Sequence, residues 1–165
     1  MKATNAIATM ATTSPKVIFW AGLVAGTMDI TAAFIVYGFF AATPLRILQG
    51  IASGLLGPRA FEAGTASAIL GLVCHFTIAY GASTVFFLAS RHIRFLTRHF
   101  MLAGALYGVA VYFFMGRVVI PLSRVHRGPF QFKMMLIGIV IHILCIGLPI
   151  ATIVQRHSRG FSSSI

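Results

Sequence analysis

The chain has 165 residues, of which 58% are hydrophobic and only 9% are charged, and its mean hydropathy is +0.93. Soluble domains are about 45–50% apolar and about 25% charged, so this composition excludes an ordinary soluble fold. The net charge of +11 lies mostly in short basic clusters between apolar segments, as at 91–99. Such clusters are typical of loops at anionic headgroups, so we expect membrane lipids as partners and no nucleic acid.

Four apolar segments follow one another along the chain, and each reaches the roughly 20 residues that a helix needs to cross a bilayer. Alternation with a period of two is absent, which favours helices over a barrel. We predict an all-α, integral membrane four-helix bundle of one domain over 17–155, with a flexible segment at 1–16 and a flexible tail at 156–165. The predicted spans are about 17–42, 65–90, 100–122 and 134–154.

The first loop contains a short amphipathic segment. Leu48, Ile51, Ala52 and Leu55 follow helical spacing, whereas Arg46 and Gln49 lie off that stripe. The pattern predicts a short interfacial helix, lying on the membrane surface or plugging the bundle.

Basic residues also predict the orientation. With cytoplasmic termini, that side holds seven Lys and Arg residues against six on the other side. The dense cluster at 91–99 and the basic sequence "QRHSRG" at 155–160 favour cytoplasmic N and C termini. We expect a multi-pass protein of the bacterial inner membrane.

The sequence repeats a set of landmarks. The order AGxxxG, PL, GP, GxxxH occurs once in each half of the chain, and the spacing between equivalents falls from 82 to 77, 71 and 67 residues. This order predicts an internal repeat of two tandem two-helix hairpins that share one orientation in the membrane. Coincidence is the alternative, because glycine and apolar residues are common in membrane helices.

Small residues at a spacing of four let helix backbones approach closely in lipid, where packing drives association. On this basis we assign helix-packing roles to Gly22, Gly26, Gly71, Gly104, Gly108 and Gly138.

Three ionisable residues lie within the apolar spans, namely Asp29, His75 and His142. At about 1.5 Å per residue, Asp29 and His142 lie about 18 Å and His75 about 22 Å from the cytoplasmic ends of their helices. Polar groups at this depth mark functional sites or serve as contacts between helices. We expect Asp29 to face the interior and to contact His75.

Several stretches, including "AGTMDITAA", "LQGIASGLLGPRAFEAGTA", "LGLVCHF" and "CIGLPIA", resemble an uncharacterised bacterial family of small four-helix inner-membrane proteins. The resemblance covers most of 17–155. It implies topology and location, and it carries over no functional residue.

No catalytic motif is present, and the chain has only two acidic residues, Asp29 and Glu62. We therefore expect no enzyme activity, no catalytic residues, no metal site and no cofactor. The predicted function is transport or membrane scaffolding through the polar layer, in a homo-oligomer. The alternative is an electron-transfer subunit that binds haem b between His75 and His142, where Gly71 and Gly138 would make room for the porphyrin.

Overall fold

The computed structural model describes residues 2–125 and 128–162, with side chains over 15–125 and 128–158. Its described residues form helices and short connections, without a β-strand, which confirms the all-α class. The α-helices are α1 Lys2–Gly38, α2 Pro44–Leu56, α3 Gly64–His92, α4 Phe95–Arg98, α5 Phe100–Phe114, α6 Ile120–Leu122, α7 Phe132–Ile141 and α8 Leu148–Ser162.

Turns of other helical types connect several of these elements. A 3-10 helix at Gly57–Phe61 follows α2. A π-helix at Met115–Val119 joins α5 to α6, and another at His142–Gly147 joins α7 to α8. Each π-helix therefore lies inside a continuous helical rod, where such widened turns often mark functional positions.

Four segments of the described chain are long and apolar enough to cross a membrane, as in a multi-pass membrane protein. These four spans differ from the predicted ones by at most four residues at either end, and they run over Pro15–Gly38, Gly64–His92, Phe100–Leu122 and Phe132–Ser158. We call the side with Pro15, His92, Phe100 and Ser158 the terminal side, and the opposite side the loop side.

The helices extend beyond the spans at both ends of the chain. The α1 backbone is helical from Lys2, and α8 continues to Ser162, while the flexibility of these segments stays a prediction.

Local chemistry explains where the loop helix begins and ends. The Thr43 hydroxyl accepts a hydrogen bond from the backbone N–H of Arg46 at 3.3 Å, and Pro44 occupies the first turn. Both features stabilise a helix start. The helix ends at Gly57, whose φ of 62° favours glycine. The predicted short helix is thereby confirmed.

The packed core lies toward the terminal side. Phe86 is 1% exposed and Ile150 is 0% exposed, and small residues of the first and third spans pack around them. The described core comprises Val17, Ala21, Ala25, Phe86, Phe87, Ala103, Ile146, Ile150, Ala151 and Val154. Toward the loop side, α7 has no buried residue, whereas α2, the 3-10 helix and the start of α3 pack closely on one another. The loop side is therefore close-packed around α2 and open around α7.

The four spans do not pack equally against one another. The first span packs along both the second and the fourth, and the third packs mainly along the fourth. The second and third spans meet through Tyr107, whose hydroxyl donates to the Ala82 carbonyl at 2.7 Å and whose ring lies edge-on to Phe86. Tyr107 therefore joins the second and third spans, which otherwise pack little against each other.

Candidate functional site

The first glycine pair lies against aromatic rings of α3. A methyl group on Gly22 would overlap the Tyr80 ring, and one on Gly26 would lie 2.8 Å from the nearest atom of Phe76. Rings thus fill the space that the glycines leave, and they bring α1 close to α3. The carbonyl oxygen of Gly26 becomes accessible to side chains of α3.

The second glycine pair lies against backbone. A methyl group on Gly104 would lie 2.9 Å from the carbonyl oxygen of Gly147, and one on Gly108 would lie 2.6 Å from the Ile143 Cα. A methyl group on Gly147 would overlap the carbonyl oxygen of Gly104. Here the backbone of α5 lies against the backbone of the second π-helix, with the small Ala151 side chain of α8 beside Gly104.

Gly71 makes room for the loop helix. A methyl group at this position would overlap the carbonyl of Leu48, so the backbones of α2 and α3 are in contact. Gly138 serves a different purpose, because the ring of Tyr112 lies over it and would be 2.6 Å from a methyl group added there. All six glycines assigned to packing are therefore approached closely by another helix.

The buried face of α2 is not the predicted apolar stripe. Gln49, Ala52 and Ser53 are buried, whereas Leu55 is exposed. The amide of Gln49 donates to the Gly64 carbonyl at 3.0 Å. Gln49 lies off the apolar stripe, as predicted, but it is buried, whereas Leu48 and Ile51 of the stripe are only half-buried.

A second polar contact lies where α2, the 3-10 helix and α3 meet. The hydroxyl of Ser67 is buried and lies 2.6 Å from the Ala60 carbonyl and 2.9 Å from the Gly64 carbonyl. Together with Gln49, it holds α2, the 3-10 helix and the start of α3 in one arrangement. Leaving the buried Gln49 amide without a partner would cost free energy, so these hydrogen bonds favour one arrangement of the three elements.

His75 bridges the first two spans. Its Nε2 lies 2.8 Å from the Gly26 carbonyl oxygen, and since a carbonyl only accepts, Nε2 is the donor. The ring is half-buried and edge-on to Phe76. The glycine at 26 therefore has two consequences, a close helix approach and an open carbonyl for the imidazole.

The expected contact between Asp29 and His75 was wrong. No hydrogen bond joins these two side chains among the described residues, because Gly26, one turn from Asp29, supplies the acceptor instead. Asp29 is half-buried and lies within electrostatic range of Cys145 in the fourth span. Within the part of the chain that the structure describes, its carboxylate has neither a hydrogen bond nor an ion pair.

His142 stands at the start of the second π-helix. Its Nδ1 donates to the Gly138 carbonyl of its own helix at 2.9 Å, and its ring is edge-on to Tyr112 at 5.4 Å between centroids. The other ring nitrogen, Nε2, is left available. The two histidines thus face different partners on different helices.

The surroundings of the histidines do not fit a haem. Backbone of α2 occupies the space beside Gly71, and the Tyr112 ring occupies the space beside Gly138. These are the two places where room for a porphyrin was expected. The Nε2 of His75, moreover, is engaged by the Gly26 carbonyl. Among the described residues, no three metal-liganding side chains group together.

One residue of this region, Gly147, was not singled out by the sequence reasoning, and Gln49, Tyr112 and Cys145 were not among the predicted site residues. Gly147 is a small residue of the fourth span, which is a signal for helix packing. It was missed because it has no glycine four residues away. Nothing in the sequence distinguishes Cys145 from an ordinary packing residue.

Comparisons with protein-family models, with curated proteins and with solved structures find no match to this chain.

Proposed function

We propose that the protein is a non-enzymatic transporter of the bacterial inner membrane, in which Asp29 carries a proton or a small cation. The observation that carries the proposal is the carboxyl of Asp29, half-buried in the first span and without a hydrogen-bond partner among the described residues. An ionised carboxylate inside a membrane costs free energy, and ionisable residues at such positions usually mark the path of a transported proton or ion. Binding a proton or a cation removes that cost.

The neighbouring polar groups support the same proposal. The first span, which carries Asp29, packs against the π-helix that begins at His142. The Nε2 of His142 is available, and His75 contacts the Gly26 carbonyl one turn from Asp29. A mobile proton or cation leaving Asp29 would therefore meet further polar groups at similar depth.

The exposure of α7 also supports a pathway. Because α7 buries no residue, the loop-side half of the fourth span is not enclosed in a close-packed core, unlike α2 and the start of α3. Four helices alone enclose little space, so we include a homo-oligomer in the proposal. Cytoplasmic termini remain the proposed orientation, since the basic loop at 91–99 lies on the terminal side.

The test is ion flux into proteoliposomes that contain the purified protein. An internal pH dye reports protons, and an imposed potential in sodium, potassium or chloride buffer reports other ions. Asp29→Asn should abolish flux, and Asp29→Glu should retain part of it. Glu62→Gln is the matched control, because Glu62 is the other acid of the chain and is exposed.

The outcomes separate the function classes. Flux that Asp29→Asn removes and Glu62→Gln leaves intact supports transport. No flux from the wild type under any of these gradients overturns it and favours the scaffold. A Soret band lost in both His75→Ala and His142→Ala would instead establish the haem alternative.

The proposal includes the ancestry of the two hairpins. The glycine landmarks of the two halves lie 82 residues apart, and the histidine landmarks lie 67 residues apart. Adding 82 to Gly26 gives Gly108, and adding 67 to Phe76 gives Ile143. Both pairs are in close contact. The same shift maps Gly22–Tyr80 onto Gly104–Gly147, again two close pairs. These matched registers support an internal duplication.

Spin labels test the duplication. Val73 and Val140 are equivalent under the shift and are 57% and 52% exposed, so labels there will not disturb packing. Oxygen and nickel accessibility should place both labels at the same depth in the bilayer. A difference of more than about 11 Å, two helical turns, would contradict the duplication.

A further inference from the structure

An open cleft of about 380 Å³ lies on the terminal side between α1 and α8. Its lining residues are Lys16, Val17, Trp20, Ile153 and His157. The cleft is in the size range of small-molecule sites, roughly 300–1,000 Å³. The polar layer described above is not part of it, so its role is separate from transport.

The cleft lies where the helices leave the apolar region. Lys16 is the second residue of the first span, and His157 is the penultimate residue of the fourth. Trp20 is 56% exposed and packs edge-on against Phe19. Tryptophan prefers the membrane–water boundary because its ring is apolar and its N–H is polar. A ligand here would contact water and hydrocarbon together.

The charged side chains on this side are all positive. Arg91, Arg94, Arg98 and Arg156 lie on the same side as Lys16, whereas Asp29 lies within the first span and Glu62 at the loop side. Lys16 has no ion-pair or hydrogen-bond partner among the described residues. Within the part of the chain that the structure describes, the site therefore offers the Lys16 cation to an external anion.

We propose that this cleft binds the phosphate headgroup of an anionic phospholipid such as phosphatidylglycerol. The Lys16 ammonium pairs with the phosphate, and a ring N–H of His157 donates to it. Val17 and Ile153 contact the glycerol and upper acyl chains, and the Trp20 indole N–H donates to an ester carbonyl. The apolar wall distinguishes a lipid from a free phosphate, which has nothing to place there.

Lipid binding to the purified full chain in detergent tests the proposal. Native mass spectrometry would compare phosphatidylglycerol with phosphatidylcholine of identical acyl chains. Loss of the cation that pairs with the phosphate in the cleft should cost about fivefold in affinity for anionic lipid, whereas in detergent a basic residue outside the cleft faces no anionic surface. The Lys16→Gln, His157→Gln variant should lose the preference by at least that factor, and Lys16→Arg should keep it.

The matched control is His92→Gln, Arg94→Gln, which makes the same change at exposed positions on the terminal side outside the cleft. Retention of the preference in this control, with its loss in the cleft variant, supports the site. Equal losses in both variants, or no preference in the wild type, overturn it. Displacement of the lipid by inorganic phosphate also overturns it, because a free anion is then the ligand.

Discussion

The bundle has two glycine seams, by which we mean the lines of helix contact at Gly22 and Gly26 and at Gly104 and Gly108. Both have the same sequence pattern, but they contact different kinds of neighbour. Gly22 and Gly26 of α1 face the rings of Tyr80 and Phe76. In the second hairpin, Gly104 and Gly108 of α5 face the backbone of the π-helix at His142–Gly147. A ring can rotate away from an added methyl group, but a backbone can move only if the whole helix moves.

The glycine motif therefore sets how closely two helices approach. The residue that the glycine contacts sets whether an added side chain is tolerated. The backbone seam joins two spans that both contain π-helices. The ring seam instead supports the histidine bridge to Gly26. We expect the second hairpin to be the rigid unit and the first to tolerate small changes.

The largest effect is expected at Gly147. Gly147→Ala places a methyl group against the Gly104 carbonyl and the Gly108 nitrogen, neither of which can rotate away. Overpacking of this kind costs about 3 kcal/mol of unfolding free energy, or more. Unfolding in mixed micelles with increasing dodecyl sulfate would measure it. A loss below about 1 kcal/mol would show that the π-helix shifts freely, and the two seams would then not differ.

An intermediate effect is expected at Gly22. Gly22→Ala overlaps only the ring of Tyr80, which moves off its rotamer at a cost of about 1 kcal/mol. Adding Tyr80→Leu should recover most of that loss, because the smaller side chain leaves room. A double-mutant cycle in the same unfolding assay gives the coupling. Simple additivity of the two losses would mean that the ring is not what Gly22 accommodates.

The smallest effect, with the opposite sign, is expected at Gly81. No atom outside its own helix lies near the position of an added methyl group, although Gly81 neighbours Tyr80 in sequence. Gly81→Ala should leave stability unchanged or raise it by up to about 1 kcal/mol, since alanine is the better helix former. Destabilisation here would mean that alanine is harmful in α3 for reasons unrelated to either seam.

The spans were predictable because their signal is local. Length and hydropathy place all four within four residues of their observed ends, and no partner helix is needed to recognise them. Thr43, Pro44 and Gly57 likewise indicate the limits of α2 from local chemistry. Extension of α1 back to Lys2 was missed, because small and polar residues carry no hydropathy signal.

Contacts between helices were less predictable. The stripe on α2 predicted a helix on the membrane surface or plugging the bundle, but it did not indicate that Gln49, off the stripe, is buried. In lipid, the driving force for burying leucine disappears, so small and hydrogen-bonding residues pack inside. His75 was assigned to Asp29, although the nearer acceptor was a backbone carbonyl that the sequence does not distinguish from any other.

The sequence by itself determined the apolar composition that indicates a membrane protein, the number of apolar spans and the glycines at which helices meet. These follow from composition and helical periodicity, which one helix expresses alone. Only the tertiary structure decided that Gly104 meets backbone while Gly22 meets a ring, and that Asp29 lies near Cys145 rather than bonded to His75. Those outcomes depend on the rotation and register of two helices, which lipid-facing residues do not specify and which close packing alone fixes.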